Sequence, residues 1–220
     1  MKRDFQTKRI LLVEGEEDKR VIPELIEKTS GIAWEVGNTT IVGIKKFDGK
    51  SELLKPGQIE TELKGSGLIS LGVLIDADED AAACWDSIRN RERLKSTYPE
   101  FPATMPEKGF ITRAANRPHF GVWIMPDNTN RGMLETFLLY LRPTSPLLEF
   151  SKETVKLAQE RGAPLLDSQT DKAQIHTWLA WQNPPGQQMH NAIEQKMLTE
   201  KSQLLTDFLA WFCELYELDS

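Results

Sequence analysis

Cysteine is nearly absent from this chain: only Cys84 and Cys213 occur, far apart and outside any metal-type spacing. A disulfide scaffold and a cysteine-rich metal site are thereby excluded, and two buried thiols are expected instead. Histidine is as sparse. His119, His176 and His190 are scattered, and no His/Cys cluster has zinc spacing. No apolar run approaches the ~20 residues of a membrane span. The opening residues, Met1-Lys2-Arg3-Asp4-Phe5-Gln6, do not resemble a signal peptide, so the expected location is the cytoplasm. A serine nucleophile elbow, a three-glycine dinucleotide fingerprint, internal repeats and low-complexity tracts are also missing. Positive charge is not in excess either. A net charge of −6 argues against a generic nucleic-acid coat. It does not argue against a nuclease, whose metal-binding carboxylates add negative charge of their own.

What is present is a set of apolar strands that end in acids. Ile10-Leu11-Leu12-Val13 runs into Glu14-Gly15-Glu16-Glu17-Asp18, and Leu71-Gly72-Val73-Leu74-Ile75 into Asp76-Ala77-Asp78-Glu79-Asp80. Such runs read as buried parallel strands with carboxylates at their C-terminal tips, the edge where open α/β sheets bind ligands. Strands are expected at 9–14, 39–44, 70–76 and 120–125, with a short one near 110–112. Helices are expected at 17–29, from Gly49-Lys50-Ser51 to a break at Pro56-Gly57, at 81–95 and at 133–141. Residues 99–118, with Pro99, Pro102, Pro106 and Pro118, show little periodicity. From 144 onward only helices are expected, at 151–161, 170–182, 189–198 and 201–218. In these, Trp178, Trp181, Trp211 and Phe212 read as core. The alternation over 8–141 predicts an α/β fold with a mostly parallel sheet flanked by helices, followed by a helical C-terminal region. A single α/β domain over 1–142 with a helical extension over 143–220 packed on it accounts for the length.

Two acidic tips side by side would repel unless a cation sat between them, and oxygen-only ligands suit Mg²⁺. Asp76 and Asp78 would point the same way if the strand continued, and both would still reach one ion if it turned. Glu14 can bind metal or exchange a proton, and Asp18 lies one helical turn further on. The competing readings are a solvated acidic turn that caps a helix and a common Glu-Gly turn. A calcium loop starting at Asp76 is excluded, because its sixth and twelfth positions hold Ala81 and Ser87 rather than Gly and Glu. The stretch from Gly43 to Gly49-Lys50-Ser51 is one residue too long between its glycines for a phosphate-binding P-loop, and Gly49 reads as a turn into a helix. Basic groups able to meet a phosphate backbone, or simply solvated, are Lys45-Lys46, the run Arg89, Arg91, Arg93, Lys95, and the set Arg113, Arg117, Arg131.

At Val13-Glu14-Gly15-x-x-Asp18 and Ile75-Asp76-Ala77-Asp78, about 60 residues apart, the chain resembles the Toprim fold. That domain is shared by topoisomerases, bacterial primases, recombination proteins and the overcoming-lysogenization-defect (OLD) nucleases. The stretches from Gly121 to Asn128, Gly132-Met133-Leu134-Glu135 and Lys172 to Gln182 resemble a prokaryotic Toprim-like branch related to the OLD-type and phage-defence nucleases. The resemblance implies a Toprim-like Rossmannoid sheet in which Asp76 and Asp78 bind Mg²⁺, with Mn²⁺ able to substitute. It implies that Glu14 binds metal or moves a proton and that Asp18 assists. By the same resemblance Glu135 would complete a second metal position, Lys172 would act near the scissile phosphate, and Asp127 is a further candidate ligand. None of Tyr98, Tyr140 and Tyr216 falls in these motifs, which disfavours topoisomerase chemistry.

The expected function is Mg²⁺-dependent phosphodiester hydrolysis of DNA or RNA, with Arg89, Arg93 or Arg131 following the backbone. The alternative is a non-catalytic metal- and nucleic-acid-binding module, or a regulatory subunit of a partner ATPase. A third, weaker class is transfer chemistry on a small nucleotide.

Overall fold

The computed structural model describes residues 7–98, 100–142 and 145–219. The opening Met1–Gln6 stretch, Pro99 and the 142/143 division between domain and extension involve residues outside that set.

Strand β1 (Arg9–Val13) leads into helix α1 (Glu16–Ser30), and a short hairpin, β2 (Glu35–Val36) and β3 (Thr39–Thr40), precedes β4 (Gly43–Lys46). Two short helices follow, α2 (Lys50–Leu53) and α3 (Gln58–Glu62), then β5 (Ser70–Asp76), α4 (Ala81–Arg89) and α5 (Glu92–Thr97). Next come β6 (Phe110–Thr112), β7 (His119–Met125) and α6 (Leu134–Tyr140). The chain ends in α7 (Pro146–Glu160), α8 (Thr170–Ala180), α9 (Met189–Glu194) and α10 (Gln203–Tyr216). Five strands form one sheet in the order β4-β1-β5-β7-β6, parallel except for the edge strand β6. The longest apolar runs, β1, β5 and β7, take its centre. The edge strand β4 carries exposed Lys45 and Lys46, a charged border that discourages further pairing.

Alternation along the central strands divides the interior in two. Leu11, Val13, Leu74, Trp123 and Met125 face α1, α6, α8, α9 and α10. Leu12, Val73, Ile75, Val122 and Ile124 face α2 to α5. The C-terminal helices therefore cover one face of the sheet rather than forming a separate body. Helix α9 packs along α1, and α10 lies across β5, β6 and β7. The paired glycines Gly72 and Gly121 give α10 its seat. A Cβ on Gly121 would fall 2.7 Å from Leu215, and one on Gly72 would strike the Tyr216 hydroxyl, which donates to the Ile10 carbonyl at 2.9 Å.

From β1 the chain crosses to β4 on one side, and from β4 it returns past β1 to β5 on the other. The sheet thus changes direction between β1 and β5, the crevice where such folds place ligands.

Several features differ from the sequence reading. The expected strand at 39–44 is divided: Thr39–Thr40 pairs back on Glu35–Val36 through Gly37-Asn38, and only Gly43 onward joins the sheet. The expected helix at 81–95 breaks at Asn90, whose amide closes the last turn of α4, and restarts as α5. Trp181 is not core; it is 39% exposed and stacks on Phe150 with ring centroids 5.3 Å apart, while Trp178, Trp211 and Phe212 are buried. Cys84 and Cys213 are both free, the first buried and the second partly so. Among the described residues no helix is long and apolar enough to cross a membrane.

Seating α10 through glycines makes a mutational prediction. Gly121→Ala should lower stability in urea by about 1–3 kcal/mol through overpacking against Leu215. Leu215→Ala alone should cost about 2–5 kcal/mol. The double variant should lose less than the sum, because the new methyl occupies the vacated space; simple additivity would contradict this packing.

Candidate active site

The strand tips meet where the sheet changes direction. Glu14 follows β1, and its Oε1 accepts a hydrogen bond from the Asp76 amide at the end of β5, at 2.8 Å. Asp76 Oδ1 accepts in turn from the Leu134 amide that opens α6, at 2.9 Å. Asp18, in the first turn of α1, reaches back to the Gly15 amide at 2.9 Å and holds the strand-to-helix turn. Thr136 does the same for α6, accepting from the Met133 amide at 3.1 Å. Its hydroxyl then donates to Asp171 of α8 at 2.6 Å, which fixes α8 beside the tips. Lys172, one residue on, lies 2.9 Å from Glu135 Oε1. Glu135 is almost wholly buried, whereas half of the Lys172 side chain meets solvent.

Glu14, Asp18, Asp76, Glu135 and Lys172 line one cavity of about 370 Å³, with Lys46 and Asp48 among the other residues around it. Burial and crowding of like charge work in the same direction here. Burial, with added repulsion from Glu14, Asp18, Glu135 and Asp78, holds the Asp76 carboxyl well above the usual carboxylate range. Glu14 is pushed up to about 7 chiefly by burial; the Asp76 amide opposes the shift, and Asp18 and Asp78 add to it. Asp18 rises to about 6, again chiefly through burial, with the Gly15 amide opposing and Glu135 adding. Burial alone would lower Lys172, but Glu135 and then Asp76 outweigh it and hold its ammonium above the ordinary lysine value.

Among the described residues no three His, Cys, Asp or Glu side chains already stand in a metal-holding arrangement. Glu14, Asp18 and Asp76 each turn one oxygen to a backbone amide instead. The donor set nonetheless fits a hard divalent cation in chemistry. It is made of carboxylate oxygens, and their raised proton affinities mark charge that a cation would relieve.

The remaining sequence candidates lie elsewhere. β5 stops at Asp76, and Asp78 sits in a left-handed turn, φ 54°, bridged in both directions to Gly132 at 2.8 Å. Its carboxylate pairs with Lys50 at 2.9 Å, and the residue borders a second cavity of about 510 Å³, shared with Arg131, Tyr140 and Asp171. Asp127 is tied into its own turn by Thr129 and Asn130; although burial pushes the other way, those bonds hold its carboxyl below the usual range. Arg89 pairs with Asp86 at 2.6 Å at the end of α4 away from the strand tips, and Arg93 borders hollows beside Glu60. Neither borders the acidic cavity. Arg91, from the same basic run, is largely covered by Glu60 and the Leu54 carbonyl and pins α2 and α3. Lys50 and the Thr136–Asp171 pair were not singled out from the sequence as site residues. A lysine directly after a strand-to-helix glycine was the available signal for the first; nothing local marks the second.

The chain belongs to the family described as "Protein of unknown function (DUF3226)", whose profile matches residues 8–217. Among solved structures it is similar to the C-terminal region of the Xanthomonas campestris pv. campestris OLD protein. That similarity has 14% identity, 97% coverage of this chain, 98% coverage of that one and a TM-score of 0.48. No curated protein matches the chain.

The raised acids give a pH dependence with a definite sign. Glu14 and Asp18 bind protons more tightly when folded, so their stabilising contribution is complete below about pH 4 and is lost as pH rises through about 6 and 7. Without divalent ions, Glu14→Gln should therefore raise the melting temperature at pH 7.5 by roughly 3–6 °C and leave it nearly unchanged at pH 4. Thermal melts across pH test this; an equal effect of the substitution at both pH values would contradict it.

Proposed function

We propose that this chain is a Mg²⁺-dependent phosphodiesterase of the Toprim type that hydrolyses nucleic acid. One observation carries the reading: four acids from three strand-to-helix junctions and a lysine from α8 converge on one cavity at the carboxyl edge of the sheet. The sequence resemblance at Glu14, Asp76, Glu135 and Lys172 supports the same chemistry.

In this reading Glu14, Asp76, Asp18 and Glu135 hold the cation. When bound, the ion supplies charge for a phosphoryl oxygen and lowers the pKa of a coordinated water. The protein groups do the rest. The Leu134 amide fixes Asp76 Oδ1. Glu14 Oε1 is committed to the Asp76 amide, so Oε2 is the oxygen left to face the cation. Lys172 Nζ, oriented by Glu135, presents positive charge to the phosphoryl group as negative charge builds on it. Lys46 meets a flanking phosphate. Arg131, which lines the adjoining cavity with exposed Tyr140, would meet the next nucleotide. Arg89 and Arg93 would serve only a more distant stretch of the strand.

Supercoiled plasmid, linear DNA and RNA incubated with Mg²⁺, Mn²⁺ or EDTA test the assignment. Cleavage should require the metal. It should fall roughly a hundredfold or more in Asp76→Asn and roughly tenfold to a hundredfold in Lys172→Ala, with folding intact by circular dichroism. Unchanged cleavage in Asp76→Asn would sink the proposal. Metal binding without cleavage of any substrate would transfer the assignment to a regulatory, nucleic-acid-binding subunit of a partner ATPase.

A further inference from the structure

Lys50 stands outside the proposed chemistry yet reaches its centre. It is the first residue of α2, directly after Gly49, whose φ of 97° turns the chain inward from β4 and whose amide donates to the Glu14 carbonyl at 3.0 Å. Lys50 Nζ donates to the Asp76 carbonyl at 2.8 Å, the Ala77 carbonyl at 3.1 Å and Asp78 Oδ2 at 2.9 Å. These three bonds use all three ammonium protons. Two carbonyls and a carboxylate converging on one point are the hard-oxygen donors a divalent cation takes. Here an ammonium group already fills the place. Asp78 is held there, since its backbone is bridged to Gly132 in both directions.

We propose that Lys50 is a positioning residue that serves as a built-in cation: it withholds Asp78 from ion binding, so that the site takes one divalent ion, held through Glu14 and Asp76. The inference rests on the reading of the acidic cavity as a metal site. It departs from the expectation that both aspartates of the Asp-x-Asp tip bind metal.

The test is the number of Mn²⁺ ions bound per chain, measured by electron paramagnetic resonance and calorimetry on the full-length protein, independently of cleavage. The wild type should bind one ion. Asp78→Asn should still bind one, with affinity within about threefold, whereas Asp76→Asn should weaken binding at least about tenfold. Lys50→Met should bind a second ion, and Lys50→Met/Asp78→Asn should lose it again. A merely structural lysine would not change the count in this way. Two ions in the wild type, one of them lost in Asp78→Asn, would overturn the inference and leave the metal site standing. A wild type that binds no ion would overturn both. If Lys50→Met fails to fold, the Asp78→Asn result decides: a drop in the ion count, or more than about tenfold weaker binding, rejects the role for Lys50.

Discussion

Burial of like charge at one end of a parallel sheet is the constraint around which this structure is arranged. Glu14 and Asp76 end neighbouring central strands, where apolar walls leave little solvent to screen them. Isolated, such carboxylates would be costly to fold. The structure offsets the cost with backbone amides: the Asp76 amide serves Glu14, the Leu134 amide serves Asp76 and the Gly15 amide serves Asp18. These bonds require the register that pairs Leu12 with Val73, because a slip of one residue would turn every strand side chain to the opposite face. The alternating apolar residues of β1 and β5 thus fix the acids as firmly as they fix the core.

The C-terminal third of the chain answers the same constraint. Lys172 brings positive charge to Glu135, and Asp171 beside it holds α8 to the start of α6 through Thr136. Helix α10 supports the arrangement from below: Leu215 and Tyr216 press on Gly72 and Gly121, the mid-strand glycines of β5 and β7. The helical region therefore supplies both part of the cavity wall and part of the sheet's support. A division into a sheet layer and an appended helical layer would cut through the cavity.

What could be read from the sequence follows from how locally each feature is encoded. Strand β5 falls where its apolar run places it, because a buried parallel strand carries its signature in its own residues. Glu14 and Asp76 were visible as acids recurring at strand tips. Glu135 and Lys172 came only from resemblance to a family, since nothing near either residue reveals that they touch. Features set by distant partners were not legible. Arg91 reads as one member of a basic run, yet its burial depends on Glu60 and the Leu54 carbonyl. Trp181 reads as core, yet its outer face is left open beside Phe150. Asp78 reads as the equal of Asp76, and only the placement of Lys50 and Gly132 separates them.

That separation bears on how a polyanion could enter. Seven acids line the cavity, namely Glu14, Glu16, Glu17, Asp18, Asp48, Asp76 and Glu135, against two lysines, Lys46 and Lys172. A phosphate approaching that balance unaided is repelled, even with Glu14 partly protonated near neutral pH. One divalent ion removes only part of the excess. Under the proposed function, substrate entry would therefore depend on the ion binding first and on the rim lysines completing the neutralisation. Lys46 is already drawn toward Glu16 at 3.6 Å and Lys172 toward Glu135 at 2.9 Å, so a phosphate must compete with carboxylates for both. Under the proposed function, cation and nucleic acid would then bind cooperatively, because the ion offsets the charge that otherwise repels the phosphate.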